Sequence, residues 1–375
     1  MRPQARQGVL EISPYEPGKS EIPGVSRVIK LASNESAFGP SQRAVDAFEA
    51  AAGKLHLYPD AELRPLREAL ARKHALDAEN IICANGSEAL IDLLARAYAG
   101  PGGEILFSAL SFPLYRIVTL SAGATPVEAP HRDFTANVDA LLARATDRTK
   151  VVFLANPNNP TGTWISRREI ERLRNGLPEH VLLVIDAAYA EYPESPDYSA
   201  GAEFVERGPG NVVMLRTFSK LHALANLRIG WAYAPDHVID ALRRLRLPFC
   251  VTTPAAEAAQ AALSDDGHMA RARSHNARWL PRLEAALREA GMKVVPSAAN
   301  FAFFQVPERM GGWQAFDAHL QKAGIIARPI PPAHALRVTV GRDHENTAFL
   351  EALQSFAGRR VGREGASRKP VPAAE

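Results

Sequence analysis

Four polar features of this chain follow one another in an order that suits chemistry at an amine-bearing carbon. Lys220 ends the run Thr-Phe-Ser-Lys and lies eight residues before Arg228. Upstream are the turn-forming run Asn-Pro-Asn-Asn-Pro-Thr-Gly at 156–162 and Asp186, which follows five apolar residues. A lysine can form a Schiff base with an aldehyde coenzyme, a carboxylate can keep a pyridine nitrogen protonated, and an arginine can bind a phosphate. Together these residues predict an enzyme that uses pyridoxal phosphate (PLP).

Short apolar runs alternate with amphipathic stretches between about residue 80 and residue 233. The candidate strands are 81–83, 104–107, 125–128, 151–154, 181–185, 212–215 and 229–233. Several are apolar throughout, as expected for parallel strands that are covered on both faces. We therefore predict an α/β fold with a doubly wound sheet. In such sheets ligands bind beyond the carboxyl ends of the strands, where the 156–162 run, Asp186 and Lys220 all fall.

The chain is long enough for one large and one smaller domain, since its 375 residues are 46% hydrophobic. A long helical pattern near 267–290 precedes strand-like segments at 293–295, 301–304, 325–327 and 336–340. We predict an N-terminal arm with part of the small domain over 1–45, a large PLP-binding domain over 46–270 and a small α+β domain over 271–358. The tail 359–375 has few apolar residues and is predicted to be disordered.

Charge and cysteine content argue against several classes of protein. The formal net charge is +3 and the charges are dispersed, so binding to nucleic acid is not expected. The two cysteines, Cys83 and Cys250, have neither a disulfide framework nor the spacing of a zinc site, and no metal is predicted. No apolar run suits a signal peptide or a membrane span. We therefore expect a cytoplasmic protein that acts on small molecules.

The motifs together resemble the histidinol-phosphate aminotransferases, a family of fold-type I, class I/II PLP-dependent aminotransferases. The resemblance extends from residue 15 to about residue 341. It is most specific in the segments 30–36, 58–60, 85–88, 156–162, 217–228 and 336–341. It implies a large domain with a mostly parallel doubly wound sheet and a homodimer with shared active sites. The implied reaction is transamination between L-histidinol phosphate and 2-oxoglutarate in histidine biosynthesis.

The resemblance also implies a role at the cofactor for each matching residue. Lys220 would be the nucleophile and would then move a proton, while Asp186 would pair with the pyridine nitrogen. Tyr189 and Asn159 would donate to the phenolic oxygen, and Phe112 would stack on the ring. The residues implied around the cofactor phosphate are Gly86, Ser87, Glu88, Thr217, Ser219 and Arg228, with Tyr58 of the neighbouring subunit.

Arg337 and Arg328 are the implied substrate residues, and Tyr15 and Asn34 match family positions near the substrate. Histidinol phosphate bears a phosphate where glutamate bears its α-carboxylate, and a guanidinium group can receive either anion. One site could therefore serve both halves of the reaction. Each arginine also has an ordinary interpretation as a solvent-facing residue of a strand.

The sequence departs from the family pattern at three places, of which the third, at 331–334, leaves the substrate open. Ala187 stands where a glutamate is often found, and Asn226 replaces a common glycine. The run Pro-Pro-Ala-His at 331–334 stands where the family often has a glycine-rich turn that contains an aromatic residue. The alternatives are therefore an aromatic amino-acid aminotransferase and, less closely, a lyase similar to threonine-phosphate decarboxylase. A non-catalytic PLP-binding regulator is disfavoured by Lys220 and by the lack of an appended DNA-binding segment.

Overall fold

The computed structural model describes residues 2–6, 8–14, 18–207 and 209–366, and these form two compact units. The large unit takes the described residues of 1–16, 35–275 and 298–300. The small unit takes those of 17–34, 276–297 and 301–375. The predicted ranges differ from these units at three places, since residues 35–45, 271–275 and 298–300 lie in the large unit.

The strands, numbered in chain order, are β1 Ile29–Lys30, β2 Ile81–Ala84, β3 Glu104–Ser108, β4 Thr125–Ala129, β5 Thr149–Ala155, β6 Leu182–Asp186, β7 Val212–Thr217, β8 Gly230–Tyr233, β9 Lys293–Val295, β10 Phe301–Gln305, β11 Ile325–Ile326, β12 Arg328–Ile330 and β13 Ala335–Thr339. The α-helices are α1 Gln42–Ala51, α2 Arg64–His74, α3 Ser87–Tyr98, α4 Leu114–Ala122, α5 Val138–Arg144, α6 Arg167–Gly176, α7 Ala202–Glu206, α8 Asp236–Leu245, α9 Thr253–Leu263, α10 Asp266–Glu289, α11 Gly312–Lys322 and α12 Asp343–Ala366. Helix α12 extends into the predicted tail 359–375, of which residues 367–375 lie outside the described residues. Among the described residues, no helix combines the length and the apolar character needed to cross a membrane.

A seven-stranded sheet forms the centre of the large unit, with the strand order β2-β8-β7-β6-β5-β3-β4. Neighbouring strands are parallel except at β8, which runs antiparallel to both β2 and β7. The predicted α/β fold with a mostly parallel sheet is thereby confirmed. The carboxyl ends of β5, β6 and β7 lie side by side in this order.

Both faces of this sheet are covered, which explains why its central strand β6 is apolar up to its last residue. In β6, Leu183 and Ile185 belong to one buried cluster, and Leu182 and Val184 belong to the other. Alternate residues of a strand point to opposite faces, so a strand covered on both sides favours apolar residues at every position. The exception is Asp186, which ends β6.

The small unit contains an antiparallel sheet with the order β12-β13-β10-β9 and a parallel pair of β1 with β11. Its core gathers fully buried aromatic rings of β10, α11 and α12, where Phe316 packs against both Phe304 and Phe349. Strand β13 carries Arg337 in its middle, so this sheet positions the residue predicted to bind substrate.

Candidate active site

The ends of the parallel strands bring the predicted cofactor residues into one region of the large unit. Asp186 is the last residue of β6, and Lys220 follows the end of the adjacent strand β7. Asn156 follows β5, and its backbone N–H donates to the backbone carbonyl of Asp186 over 2.9 Å. The 156–162 loop therefore starts beside Asp186. The side-chain nitrogen of Lys220 lies 5.7 Å from the ring centre of Tyr189, which is itself buried.

Asp186 is a buried acid whose two carboxylate oxygens have different surroundings. Oδ2 accepts a 2.8 Å hydrogen bond from the Tyr115 hydroxyl, whereas Oδ1 is buried without a hydrogen-bond partner among the described residues. Burial raises the pKa of Asp186 to about 6, although the Tyr115 hydroxyl and the Ala188 backbone N–H both act to lower it. The charge of Glu88 also raises this pKa and that of Lys220 lowers it.

A buried carboxylate with one unpartnered oxygen is costly unless a cation or a donor meets it. The protonated ring nitrogen of PLP is such a group, and Lys220 lies near enough to lower the pKa of Asp186 by its charge. The residues at the ends of β6 and β7 therefore fit PLP. Asp186 would hold the ring nitrogen, and Lys220 would hold the aldehyde.

The start of α3, where the sequence predicts the cofactor phosphate, has features that suit an anion. Gly86 precedes this helix with a φ of +82° and provides no side-chain cap, so the first backbone N–H groups are available to an anion. Arg228 directs one guanidinium nitrogen to Ser219 Oγ at 3.4 Å and the other to Glu88 Oε2 at 3.1 Å. A Cβ on Gly86 would lie 2.6 Å from the Arg228 guanidinium group, and the φ of +82° favours glycine here. Thr217 supports this loop, because its hydroxyl accepts the Ser219 N–H over 3.1 Å.

The loops that carry Phe112 and Asn159 are tied to each other by a residue that the sequence reasoning did not single out. Asn158 donates to the Leu110 carbonyl over 3.0 Å and accepts from the Ser111 hydroxyl over 2.9 Å. It is buried, whereas Phe112 and Asn159 are half-buried. The hydrogen bonds of Asn158 thus join the loop of Phe112, the predicted ring-stacking residue, to the loop of Asn159, the predicted donor to the phenolic oxygen.

Tyr115 is the second residue that the sequence reasoning missed. It binds Asp186, and its ring meets that of Phe112 edge-on at 5.8 Å. The only signal in the sequence is its position three residues after Phe112 in an amphipathic segment. That spacing places both on one side of a helix start, but nothing local points to a partner 71 residues away.

Tyr58 stands apart from the buried residues described above, because the structure leaves it 84% exposed. Its ring packs against that of Phe249 at 4.8 Å. The surface around it, here called the apolar patch, consists of exposed Leu55, Leu57, Tyr58, Leu247 and Phe249.

The predicted substrate residues that the structure describes belong to the small unit. Arg337 is buried on β13 and lies directly opposite Arg328 of β12. Its guanidinium group donates to the Ala32 carbonyl over 2.7 Å and lies 5.2 Å from the ring centre of Phe301. Like charges on opposing strands are unfavourable, so this pair suits an anion.

Asn34 is buried in the small unit, and its side chain has a structural partner there. Its Oδ1 accepts from the Thr339 hydroxyl over 3.2 Å, and its backbone N–H donates to the same hydroxyl over 3.0 Å. Tyr15, the remaining predicted substrate residue, lies outside the described residues.

Comparison with known proteins gives a consistent result. Residues 26–353 match the model of the family described as aminotransferase class I and II. The chain is 48% identical over 357 residues to the histidinol-phosphate aminotransferase of Maricaulis maris, covering 94% of this chain and 98% of that protein. It is 49% identical over 359 residues to that of Rhodospirillum rubrum, covering 94% and 97%. The structure of histidinol-phosphate aminotransferase from Sinorhizobium meliloti in complex with pyridoxal-5′-phosphate is 28% identical, with a TM-score of 0.83 over 88% of this chain and 91% of that chain.

Proposed function

Because the chain belongs to the class I and II aminotransferase family, we propose that it transfers the amino group of L-histidinol phosphate to 2-oxoglutarate, giving imidazole acetol phosphate and glutamate. The predictions of the family, of an aminotransferase and of PLP as its cofactor are confirmed. The observation that carries the choice of substrate is the near full-length similarity to histidinol-phosphate aminotransferases. The enzyme would act in histidine biosynthesis.

Residues of the large unit are suited to each chemical role that this reaction requires. When bound, PLP supplies an aldehyde that receives the amino group and a ring that accepts electrons. Lys220 Nζ would hold the aldehyde group and would move a proton at the substrate α-carbon. Asp186 Oδ1 would pair with the ring nitrogen and keep it protonated, and Arg228 with the start of α3 would bind the phosphate.

Tyr189 and Asn159 are proposed to donate to the phenolic oxygen, and Phe112 to stack on the ring. Their support is their position at the strand ends. Tyr189 lies beside Lys220, and Asn159 and Phe112 lie in loops joined through Asn158.

Arg337 and Arg328 are proposed to bind the anionic group of the substrate. Their opposed placement on β13 and β12 supports this role, because two guanidinium groups on facing strands can share one phosphate or carboxylate. Since both histidinol phosphate and glutamate carry such a group, the same arginines can serve both half-reactions. The contacts of Asn34 with Thr339 support a role for Asn34 in shaping this part of the small unit.

We also propose that the enzyme is a homodimer located in the cytoplasm. The apolar patch supports the dimer, because exposed leucine and aromatic side chains grouped on one surface are typical of an interface. A second copy would cover the patch and bring Tyr58 to the partner's cofactor phosphate. Both cysteines are free thiols, which suits a reducing compartment.

A half-reaction assay tests the proposed substrate. Purified, cofactor-loaded protein is mixed separately with histidinol phosphate, phenylalanine and threonine phosphate, and the loss of the visible absorbance of the bound cofactor is followed. Histidinol phosphate should react fastest, and turnover should require 2-oxoglutarate. Faster reaction with phenylalanine would favour an aromatic aminotransferase, and release of carbon dioxide without an oxo acid would favour a lyase.

Substitution of the proposed nucleophile gives the matching control. Lys220→Ala should abolish turnover and the visible absorbance of the covalently bound cofactor together. The exposed Lys322→Ala should change neither. Retained turnover in Lys220→Ala would refute the assignment of Lys220.

A further inference from the structure

A single buried tyrosine touches both of the side chains proposed to hold the cofactor ring. Tyr115 donates to Asp186 Oδ2 over 2.8 Å and contacts Phe112 through an edge-on ring pair with an interplanar angle of 89°. Resting on the function proposed above, we propose that Tyr115 is a positioning residue that fixes which oxygen of Asp186 faces the cofactor and keeps that carboxyl group ionised.

The Tyr115 hydroxyl is held in place from several directions. The side chain is fully buried, and its ring stacks on that of Phe153 at 4.8 Å with an interplanar angle of 9°. Its backbone carbonyl accepts a 2.6 Å hydrogen bond from the Thr119 hydroxyl within α4. The direction of the hydrogen bond to Asp186 is therefore set by packing.

The Tyr115 hydroxyl also remains a donor. Burial raises its pKa well above the ordinary value for tyrosine, and the charge of Asp186 acts in the same direction. The phenol therefore keeps its proton throughout the neutral range, and its hydrogen bond favours the ionised form of the Asp186 carboxyl group.

The consequence of this hydrogen bond is that the two oxygens of Asp186 become unequal. Oδ2 is engaged by Tyr115, and Oδ1 is left for the ring nitrogen. The other groups that act on the charge of Asp186 are Glu88, which disfavours it, and Lys220 and the Ala188 N–H, which favour it. After burial, the hydrogen bond from Tyr115 has a larger effect on this carboxyl group than any of these three.

The same helix positions the proposed stacking residue. Helix α4 begins at Leu114, directly after the segment that holds Phe112, and Tyr115 lies in its first turn. Ser111 is bound to Asn158 at the other side of Phe112. Movement of Tyr115 would therefore disturb the contacts to the ring face and to the ring nitrogen together.

The test compares Tyr115→Phe with Tyr233→Phe. Tyr233 is a buried tyrosine of the same unit whose hydroxyl donates to the carboxylate of Glu206 over 3.2 Å, so it loses the same kind of hydrogen bond away from the site. The first readout is carbon-13 NMR titration of the Asp186 carboxyl carbon in the cofactor-free protein, assigned with Asp186→Asn. The second is the nitrogen-15 shift of the ring nitrogen in bound pyridoxine 5′-phosphate, which lacks the aldehyde and cannot react with Lys220.

Tyr115→Phe should raise the pKa of Asp186 by about one pH unit or more, because a hydrogen bond to a charged group contributes about that much. The ring-nitrogen signal should move toward that of a neutral pyridine, since the shared proton shifts to the more basic carboxylate. Tyr233→Phe should leave both readouts unchanged. An unchanged pKa of Asp186 in Tyr115→Phe would overturn the proposal.

Two further outcomes remain informative. If Tyr115→Phe does not fold, the double variant Tyr115→Phe/Asp186→Asn decides, because it removes the buried charge as well. If the double variant folds and the single variant does not, the proposal is supported. If neither variant folds, Tyr115 is a packing residue and the proposal is rejected. If pyridoxine 5′-phosphate does not bind the unaltered protein, the proposed cofactor site fails, while the titration still decides whether Tyr115 acts on Asp186.

Discussion

Asp186→Asn should make the cofactor-free protein more stable while weakening its hold on the cofactor. Burial raises the pKa of Asp186 from the ordinary 3.8 to about 6, so the folded state binds this proton more tightly than the unfolded state does. At about 1.4 kcal/mol per pH unit, the ionised carboxylate lowers the free energy of unfolding by about 3 kcal/mol above pH 6. Asparagine carries no charge and still accepts the hydrogen bond from Tyr115.

The sign of the pH dependence follows from the same shift. The pKa of this acid is raised on folding, so its destabilising effect is absent below about pH 4, develops between the two pKa values and is complete above pH 6. The advantage of Asp186→Asn over the unaltered protein should therefore grow by about 1.4 kcal/mol between pH 5 and pH 8. Binding of pyridoxine 5′-phosphate should weaken in the same variant, because the ring nitrogen loses its anionic partner.

Chemical denaturation of both cofactor-free proteins at matched concentration, repeated from pH 5 to pH 8.5, measures this difference. Asp240→Asn is the control, since Asp240 is exposed on α8 and its pairing with Arg244 is screened by solvent, so stability should change little at any pH. A stability difference that is the same at every pH, or an Asp186→Asn variant less stable than the unaltered protein at pH 8, would show that Asp186 is not strained by burial.

Three further predictions concern the other charged and apolar groups. Arg337→Ala should raise KM for both histidinol phosphate and glutamate by about 100-fold, because a buried arginine partner of an anion is lost. Cofactor affinity, measured by fluorescence titration, should be unchanged. An effect on only one substrate would contradict a shared anion site. Glu88→Gln should strengthen binding of inorganic phosphate to the cofactor-free protein by about fivefold in calorimetry, since the carboxylate no longer competes for Arg228; weaker binding would show that Glu88 orients this arginine. Leu247→Asp should produce a monomer in sedimentation velocity experiments, whereas the exposed Lys322→Asp should not; an unchanged sedimentation coefficient for Leu247→Asp would place the interface elsewhere.

Much of the large unit could be predicted because its signals are local. Strands β5 and β6 contain the continuous apolar runs 151–155 and 182–185, which indicate burial on both faces. Polar residues follow each run at the carboxyl end, where a parallel sheet binds ligands. The positions of Asp186 and Lys220 follow from that rule. Predicting the roles of Tyr189 and Asn159 required resemblance to a family, since a tyrosine or a turn asparagine has many other uses.

The boundaries of the units could not be read from the chain in the same way. Residues 298–300 belong to the large unit, although the segments on either side of them belong to the small unit. Short excursions of this kind leave no mark in hydrophobic periodicity, because three residues are too few to form a pattern.

The amino-acid sequence by itself determined the layered sheet, the order of the chemical groups along it and the family to which the chain belongs. Only the tertiary structure decided that Tyr115 binds one oxygen of Asp186 while the other has no hydrogen-bond partner among the described residues, and that Arg328 lies opposite Arg337. The physical reason is that secondary structure depends on neighbours within a few residues, whereas these contacts depend on strand register and on how helix α4 packs against the sheet. Register and packing are properties of the whole buried core, and no short segment specifies them.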